Sequence, residues 1–340
     1  MVYKNIEFHN VEEFIQTENG VSWLRFPLSV CDKMDSEVGK QQCRNSTGVE
    51  LRFIIKSENV TLRMRDINPK AEKTGGFHIY RGGIQGGWED HENNTYISRD
   101  ICEFKIKKTD KLPQLIRMSK EMKSEWNPNL VRVIFDRSNF EFIDIIGDVE
   151  APQKIDTPQK TILFYGSSIT HGSNSIDASH AWSSIVAYNL SMDCLNKGQA
   201  GSCMMEPVVV DYIAEKGMKN EWDIAVLELG INVLSWEREK IRERVSYAVK
   251  EIATKNMLKK VFVISPIYCC DDFDGEGNAQ KWRDEIEDIV KTLRYENVFY
   301  IDGSDLIGEM SLISADLLHP SIYGISRIAD KLTEIIKNRM

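Results

Sequence analysis

The sequence predicts an all-β sandwich over residues 1–150, followed by an α/β domain over residues 160–340. Three observations carry this expectation. The first half alternates apolar and polar residues in short runs, and the second half alternates strand-like and helix-like patterns. Between them lies a linker with two prolines, VEAPQKIDTPQK (Val149–Lys160).

In the first half, LRFIIKS (Leu51–Ser57), VTLRMRD (Val60–Asp66), GFHIYRG (Gly76–Gly82), YISRDICEFKIKK (Tyr96–Lys108) and VRVIFDR (Val131–Arg137) read as strands. Polar and glycine-rich stretches separate them: SEN, NPKAEKTGG and GGIQGGWEDHENN. Antiparallel strands joined by long polar loops point to a sandwich. Only Val11–Gln16 and Leu115–Lys120 read as short helices.

In the second half, TILFYG is a buried strand and His180–Leu190 a helix; MDCLNKG is a strand and Glu206–Gly217 a helix. DIAVLELG precedes the long helix Glu237–Asn256, and KKVFVISP precedes the helix Gln280–Arg294. NVFYID is the last strand, and Ile322–Asn338 closes the chain as a helix. Strands that are apolar along their whole length, each followed by a helix, mean a parallel sheet covered on both faces.

The net charge of −9 and the lack of a long Lys/Arg run argue against nucleic-acid or anionic-membrane partners. No apolar run reaches the roughly 20 residues of a spanning helix. The start, MVYKNIEFHN, has no apolar core of a secretory signal. Seven cysteines without a C-x-x-C read as reduced thiols, so a cytoplasmic protein with no disulfide framework and no metal site is expected.

In a parallel sheet, ligands bind outside the carboxyl ends of the strands. Those positions hold Gly166-Ser167-Ser168, then NKGQAG (Asn196–Gly201), Gly230-Ile231-Asn232 and, before the last helix, DLLHP (Asp316–Pro320). Singly, each has a plain structural explanation: a serine before a helix caps it, glycines turn the chain, and Asn232 can cap. The Walker spacing is missing, and Thr170 stands where a G-x-S-x-G elbow has its second glycine. Together they supply a hydroxyl, backbone amides, a carboxamide, an imidazole and a carboxylate, the parts needed to attack an ester carbonyl and hold its oxyanion.

These four blocks, in this order, resemble the SGNH (GDSL-like) hydrolase superfamily over roughly Thr161–Met340. YGSSIT, LELGIN and the β-rich first half are similar to its bacterial members with an N-terminal β-sandwich domain, to which GGFHIYRGGIQGGW also bears some likeness. The resemblance implies a flavodoxin-like three-layer α/β/α domain after a jelly-roll-like sandwich. It implies Ser168 as nucleophile, His319 as general base and Asp316 as its orienting acid. Ser168 and Gly201 N–H groups with the Asn232 amide would form the oxyanion hole, and no cofactor is implied. Ser167 replaces the family's usual Asp, and Val233 another Asp after the third block.

The function implied is an esterase on small acyl esters, acetylated carbohydrate among them. An acyltransferase to a small-molecule hydroxyl and an inactive binding protein are the alternatives. His171 and His180 are expected to line the serine loop, and Ile267–Phe273 with Gly275–Asn278 to overhang the pocket. Trp182 and Trp236 are expected to pack, and Trp88 with EDHENN to form a solvated loop.

Overall fold

The computed structural model describes residues 1–68, 75–90, 95–273 and 277–340. Parts of NPKAEKTGG and EDHENN, and residues 275 and 276 of the expected pocket rim, lie outside the described residues.

The first half forms two antiparallel sheets. One has the order Val2–Tyr3, Ile6–His9, Glu50–Ile55, Leu130–Phe135, Phe77–Arg81, Ile84–Gln85, with Val149–Glu150 also paired to Glu50–Ile55. The other runs Glu13–Gln16, Val21–Leu24, Phe140–Ile146, Asn59–Asp66, Cys102–Lys107. Asn59–Asp66 alternates half-buried and buried positions along its length, the period of a strand with one face on a core. Phe8, Trp23, Phe53, Leu62, Met64, Phe77, Phe135 and Phe142 fill the space between the sheets.

Val11–Gln16 is not helical. Glu13–Gln16 is a strand, paired in a hairpin with Val21–Leu24 from Glu13↔Leu24 to Gln16↔Val21. The chain turns where Thr17 N–H meets Gly20 O, and Phe14 packs on Phe8 in the sandwich core. Tertiary packing outweighs the local helical pattern here. Leu112–Glu121 is a helix and contains the expected Leu115–Lys120. Two further helices, Leu28–Cys31 and Glu37–Gln42, were not expected from the sequence.

The second half holds five parallel strands: β1 (Thr161–Tyr165), β2 (Asp193–Asn196), β3 (Ile224–Glu228), β4 (Lys260–Ile264) and β5 (Val298–Ile301). Their order is β2-β1-β3-β4-β5, the flavodoxin-like arrangement. The helices are α1 (Ser168–His171), α2 (Trp182–Asn189), α3 (Pro207–Met218), α4 (Arg238–Lys255), α5 (Ala279–Leu293), α6 (Gly303–Ile307) and α7 (Ile322–Lys337). Leu163 and Tyr165 face α3, α4 and α5 in one core, while Ile162 and Phe164 face α2, α6 and α7 in the other. This is why β1 is apolar at successive positions: both of its faces are covered. The sheet's carboxyl end then presents the loops after β1, β2 and β3 side by side.

The sandwich packs on the β2 edge of that sheet through charged groups. Arg52 makes two bonds to Asp193, of 2.8 and 2.6 Å, while Glu50 accepts from Arg52 and Arg132. Lys197 reaches Glu12 at 3.0 Å and also donates to the Arg25 carbonyl. Arg25 is fully buried, and its guanidinium donates to the carbonyls of Asn45 and Gln42 on its own side, of Asn196 at the end of β2 and of Gly198 just after it. Arg25→Met would leave four carbonyls without that donor. We expect it to lower unfolding free energy by about 3 kcal/mol or more, read as the shift of the urea transition; an unchanged transition would contradict this role.

Candidate active site

The chain leaves β1 at Gly166, turns, and enters α1. Only glycine fits at 166, because a side-chain Cβ there would lie 2.2 Å from Thr170 Oγ1 and 2.6 Å from Glu228 Oε2. Ser167, not Ser168, is the N-cap: its hydroxyl accepts from the Ile169 N–H at 3.1 Å. Ser168 therefore stands at the first position of the helix, its side chain free of the cap.

The Ser168 hydroxyl meets His319 Nε2 at 2.8 Å, and His319 Nδ1 meets Asp316 Oδ2 at 2.7 Å. Asp316 can only accept in that pair when ionised, so the proton sits on Nδ1 and the lone pair of Nε2 faces the serine. Asp316 is ionised for a visible reason. Desolvation opposes its charge, but the His319 N–H, the Ser314 hydroxyl, the His319 ring and the Leu318 N–H outweigh this and hold the carboxyl below its ordinary value. The Asp316–His319 turn passes through Leu317 in the left-handed region (φ +54°) and closes with Ser314 N–H on the His319 carbonyl. Pro320 follows, pairing with Ile313, and Ser321 rather than the proline caps α7.

The loops after β2 and β3 leave the parallel sheet at the same end as the serine loop. Gly201 has φ +70°, a conformation that favours glycine, and its N–H has no acceptor among the described residues. Asn232 accepts the Cys203 N–H on Oδ1 at 3.0 Å, which fixes the amide and leaves its NH₂ as a donor. Two backbone amides, of Ser168 and Gly201, and the Asn232 carboxamide thus lie in loops at the same end of the sheet.

His171 is not a second base. It is wholly buried and lies between the sandwich and the loop after β2: Nδ1 accepts from Ala200 N–H at 3.3 Å, and Nε2 donates to Asn45 Oδ1 at 3.1 Å. Burial first, then Arg25 and Arg137, hold it far below its ordinary value and neutral. His180 pairs with Asp177 at 2.9 Å. Trp182 is buried and donates to the Ile169 carbonyl at 3.0 Å; Trp236 packs on the other core, and Trp88 is solvent-exposed. In Ile267–Phe273, Asp272 is held by two bonds from Arg283, of 2.6 and 2.8 Å. Among the described residues, no group of three or more His, Cys, Asp or Glu is disposed to hold a metal ion.

One residue of the site escaped the sequence reading. Glu228, the last residue of β3, is buried, and its Oε2 accepts from Ser167 N–H at 2.7 Å, Ser167 Oγ at 2.7 Å and Thr170 Oγ1 at 3.0 Å. The signal was an acid closing the apolar strand IAVLE. Arg25 and Asn45, which reach the site from the sandwich, carry no such signal.

A serine hydroxyl on a histidine whose other nitrogen meets an aspartate is an arrangement suited to acyl transfer. A model of the GDSL-like lipase/acylhydrolase family matches residues 159–337, more than half of the chain, and the chain belongs to that family. None of the curated protein sequences compared with it matches. Several solved structures share its fold over nearly the whole length. A salicylyl-acyltransferase from a tetracycline biosynthetic pathway has 15% identity and a TM-score of 0.79, covering 98% of this chain and 95% of that one. A putative GDSL-like lipase from Bacteroides ovatus has 16% identity and a TM-score of 0.66, over 93% and 91% of the two chains. A family two carbohydrate esterase from Cellvibrio japonicus has 14% identity and a TM-score of 0.65, over 98% and 95%. The family and the fold support an acylhydrolase or acyltransferase.

Burial pushes the Glu228 carboxyl up to about 7, outweighing its hydrogen bonds from Ser167 and Thr170. A carboxyl raised above its ordinary 4.5 holds a proton in the folded state that the unfolded chain has released. Its contribution is complete below pH 4.5 and is lost as pH rises to about 7, amounting to about 3 kcal/mol. Between about pH 5 and about pH 8 the urea midpoint of the wild type should fall more than that of Glu228→Gln. Parallel profiles would contradict it.

Proposed function

We propose that the protein is a serine esterase that removes small acyl groups, acetyl foremost, from hydroxyls of a carbohydrate or similar polyol. The observation that carries this reading is the 2.8 Å contact of Ser168 with a histidine whose other nitrogen is held by Asp316.

His319 Nε2 takes the Ser168 proton as Oγ attacks the ester carbonyl. The oxyanion is met by the N–H groups of Ser168 and Gly201 and the Asn232 amide. The C–O bond to the alcohol then breaks, and the imidazolium returns the proton to the departing alkoxide. Water, deprotonated by the same nitrogen, attacks the acyl-Ser168 ester and releases the acid. If an alcohol takes the place of water, the same steps give a new ester, which is the transferase reading.

The polyol preference has local support. A cavity of about 300 Å³ opens beside Gly172 and Ser175, past the end of α1. Its lining includes His78, Tyr96, Asp136 and Arg137 of the first half, a mixture of ring, carboxylate and guanidinium that suits hydroxyl groups. Family two carbohydrate esterases share the fold. We further propose that residues 1–150 and 160–340 are the two structural units, and that the seven unpaired cysteines mark a reducing, cytoplasmic setting.

A fluorophosphonate should add covalently to the wild type and not to Ser168→Ala. Equal labelling of both would refute the nucleophile. On an ester panel from acetyl to octanoyl run beside acetylated sugars, turnover should be greatest with the short acyl groups. Free acid should exceed new ester when acceptor alcohols are added, and the reverse ratio would make the protein a transferase. Asn232→Ala should lower kcat by about two to three orders of magnitude, and an unchanged kcat would remove Asn232 from the oxyanion hole.

A further inference from the structure

Ser168 sits on a helix of one turn, Ser168–His171, too short to hold its own shape. The hydrogen bonds that hold its start run to Glu228. Three donors converge on one carboxylate oxygen, two from Ser167 just before the nucleophile and one from Thr170 two residues after it. Ser167 Oγ donates to Glu228 and accepts from Ile169 N–H, so the acid also orients the cap. Ser167 and Thr170 have no solvent exposure, and Glu228 is 2% exposed.

No cation answers this carboxyl among the described residues. The titratable groups around it are the Tyr165 hydroxyl at the end of β1 and Cys203 after β2, whose thiol meets the Glu228 carbonyl at 3.6 Å; burial raises both. Its second oxygen, Oε1, is buried with no partner among the described residues. An acid placed there at such cost to desolvation has one set of contacts, and it is the serine loop.

We propose that Glu228 is the positioning residue of this loop: from strand β3 it fixes the turn that points Ser168 Oγ at His319 Nε2. Position 167 is then serine because the acid already stands across from it. A second acid at 167 would face Glu228 inside one buried site, where the two would compete for the same donors and repel once both ionise. This inference rests on Ser168 being the nucleophile.

The test measures the rate constant of fluorophosphonate labelling at saturating probe, with near-ultraviolet circular dichroism to confirm folding. Glu228→Met keeps the volume and removes the acceptor; labelling should slow about a hundredfold, with little change in probe affinity. Glu228→Gln keeps an acceptor oxygen and should stay within about tenfold of wild type. Ser167→Asp should label poorly, and Ser167→Asp combined with Glu228→Gln should recover, because one acid then remains in the buried site. A folded Glu228→Met that labels at the wild-type rate overturns the proposal. So does a double variant no faster than Ser167→Asp, a comparison that holds even if Glu228→Met does not fold. A wild type that never labels sinks the Ser168 assignment itself, whereas a labelling wild type with indifferent variants sinks only the role of Glu228.

Discussion

The Arg25 guanidinium is buried where the two halves of the chain meet, and no carboxylate among the described residues pairs with it. Taking a cation out of water is costly unless hydrogen bonds replace its hydration. Here the acceptors are four backbone carbonyls, two on each side of the junction. Burial lowers the group to about 10, still far above neutrality, so the charge stays. Backbone carbonyls can serve this way only if both segments are already in place. The arginine therefore ties the geometry of the loop after β2 to the folding of the sandwich.

The proposed active site inherits that constraint. Gly198, one of the carbonyls held by Arg25, lies three residues before Gly201, whose N–H is a proposed oxyanion donor. His171, at the end of α1, bridges Asn45 of the sandwich to Ala200 N–H in the same loop. Arg137 donates to Ser173, and Ser173 N–H returns to the Ser168 carbonyl at 2.9 Å. From beneath, Glu228 fixes the start of α1. The proposed nucleophile is thus held between a strand of its own sheet and residues that the first half contributes.

Much of this was readable in the sequence, for physical reasons that also mark where reading stopped. The five parallel strands announce themselves because covered strands must be apolar throughout, and the strand-end rule then finds Ser168, Asn232 and His319. In the sandwich, Val21–Leu24 is buried at all four positions, so it lacks the alternation that marks a strand. Val11–Gln16 mimics a helix until its hairpin partner is known. Asp316 was readable because it stands three residues from His319, whose ring it meets. Arg25 was not: it meets Asn196 and Gly198 across more than 170 residues and uses their carbonyls, which every residue type possesses. Glu228 stood inside a quoted motif, but an acid at a strand end does not show which loop it holds.

The central claim is that Ser168 carries the acyl group, and a trapped intermediate tests it most directly. The protein is mixed with an activated acetyl ester, quenched in acid during the first turnovers, digested and weighed. The account predicts one added acetyl group on the peptide bearing Ser168, and its accumulation should slow or vanish in His319→Ala. An acetyl group on another residue, or steady turnover with none on Ser168, would contradict it.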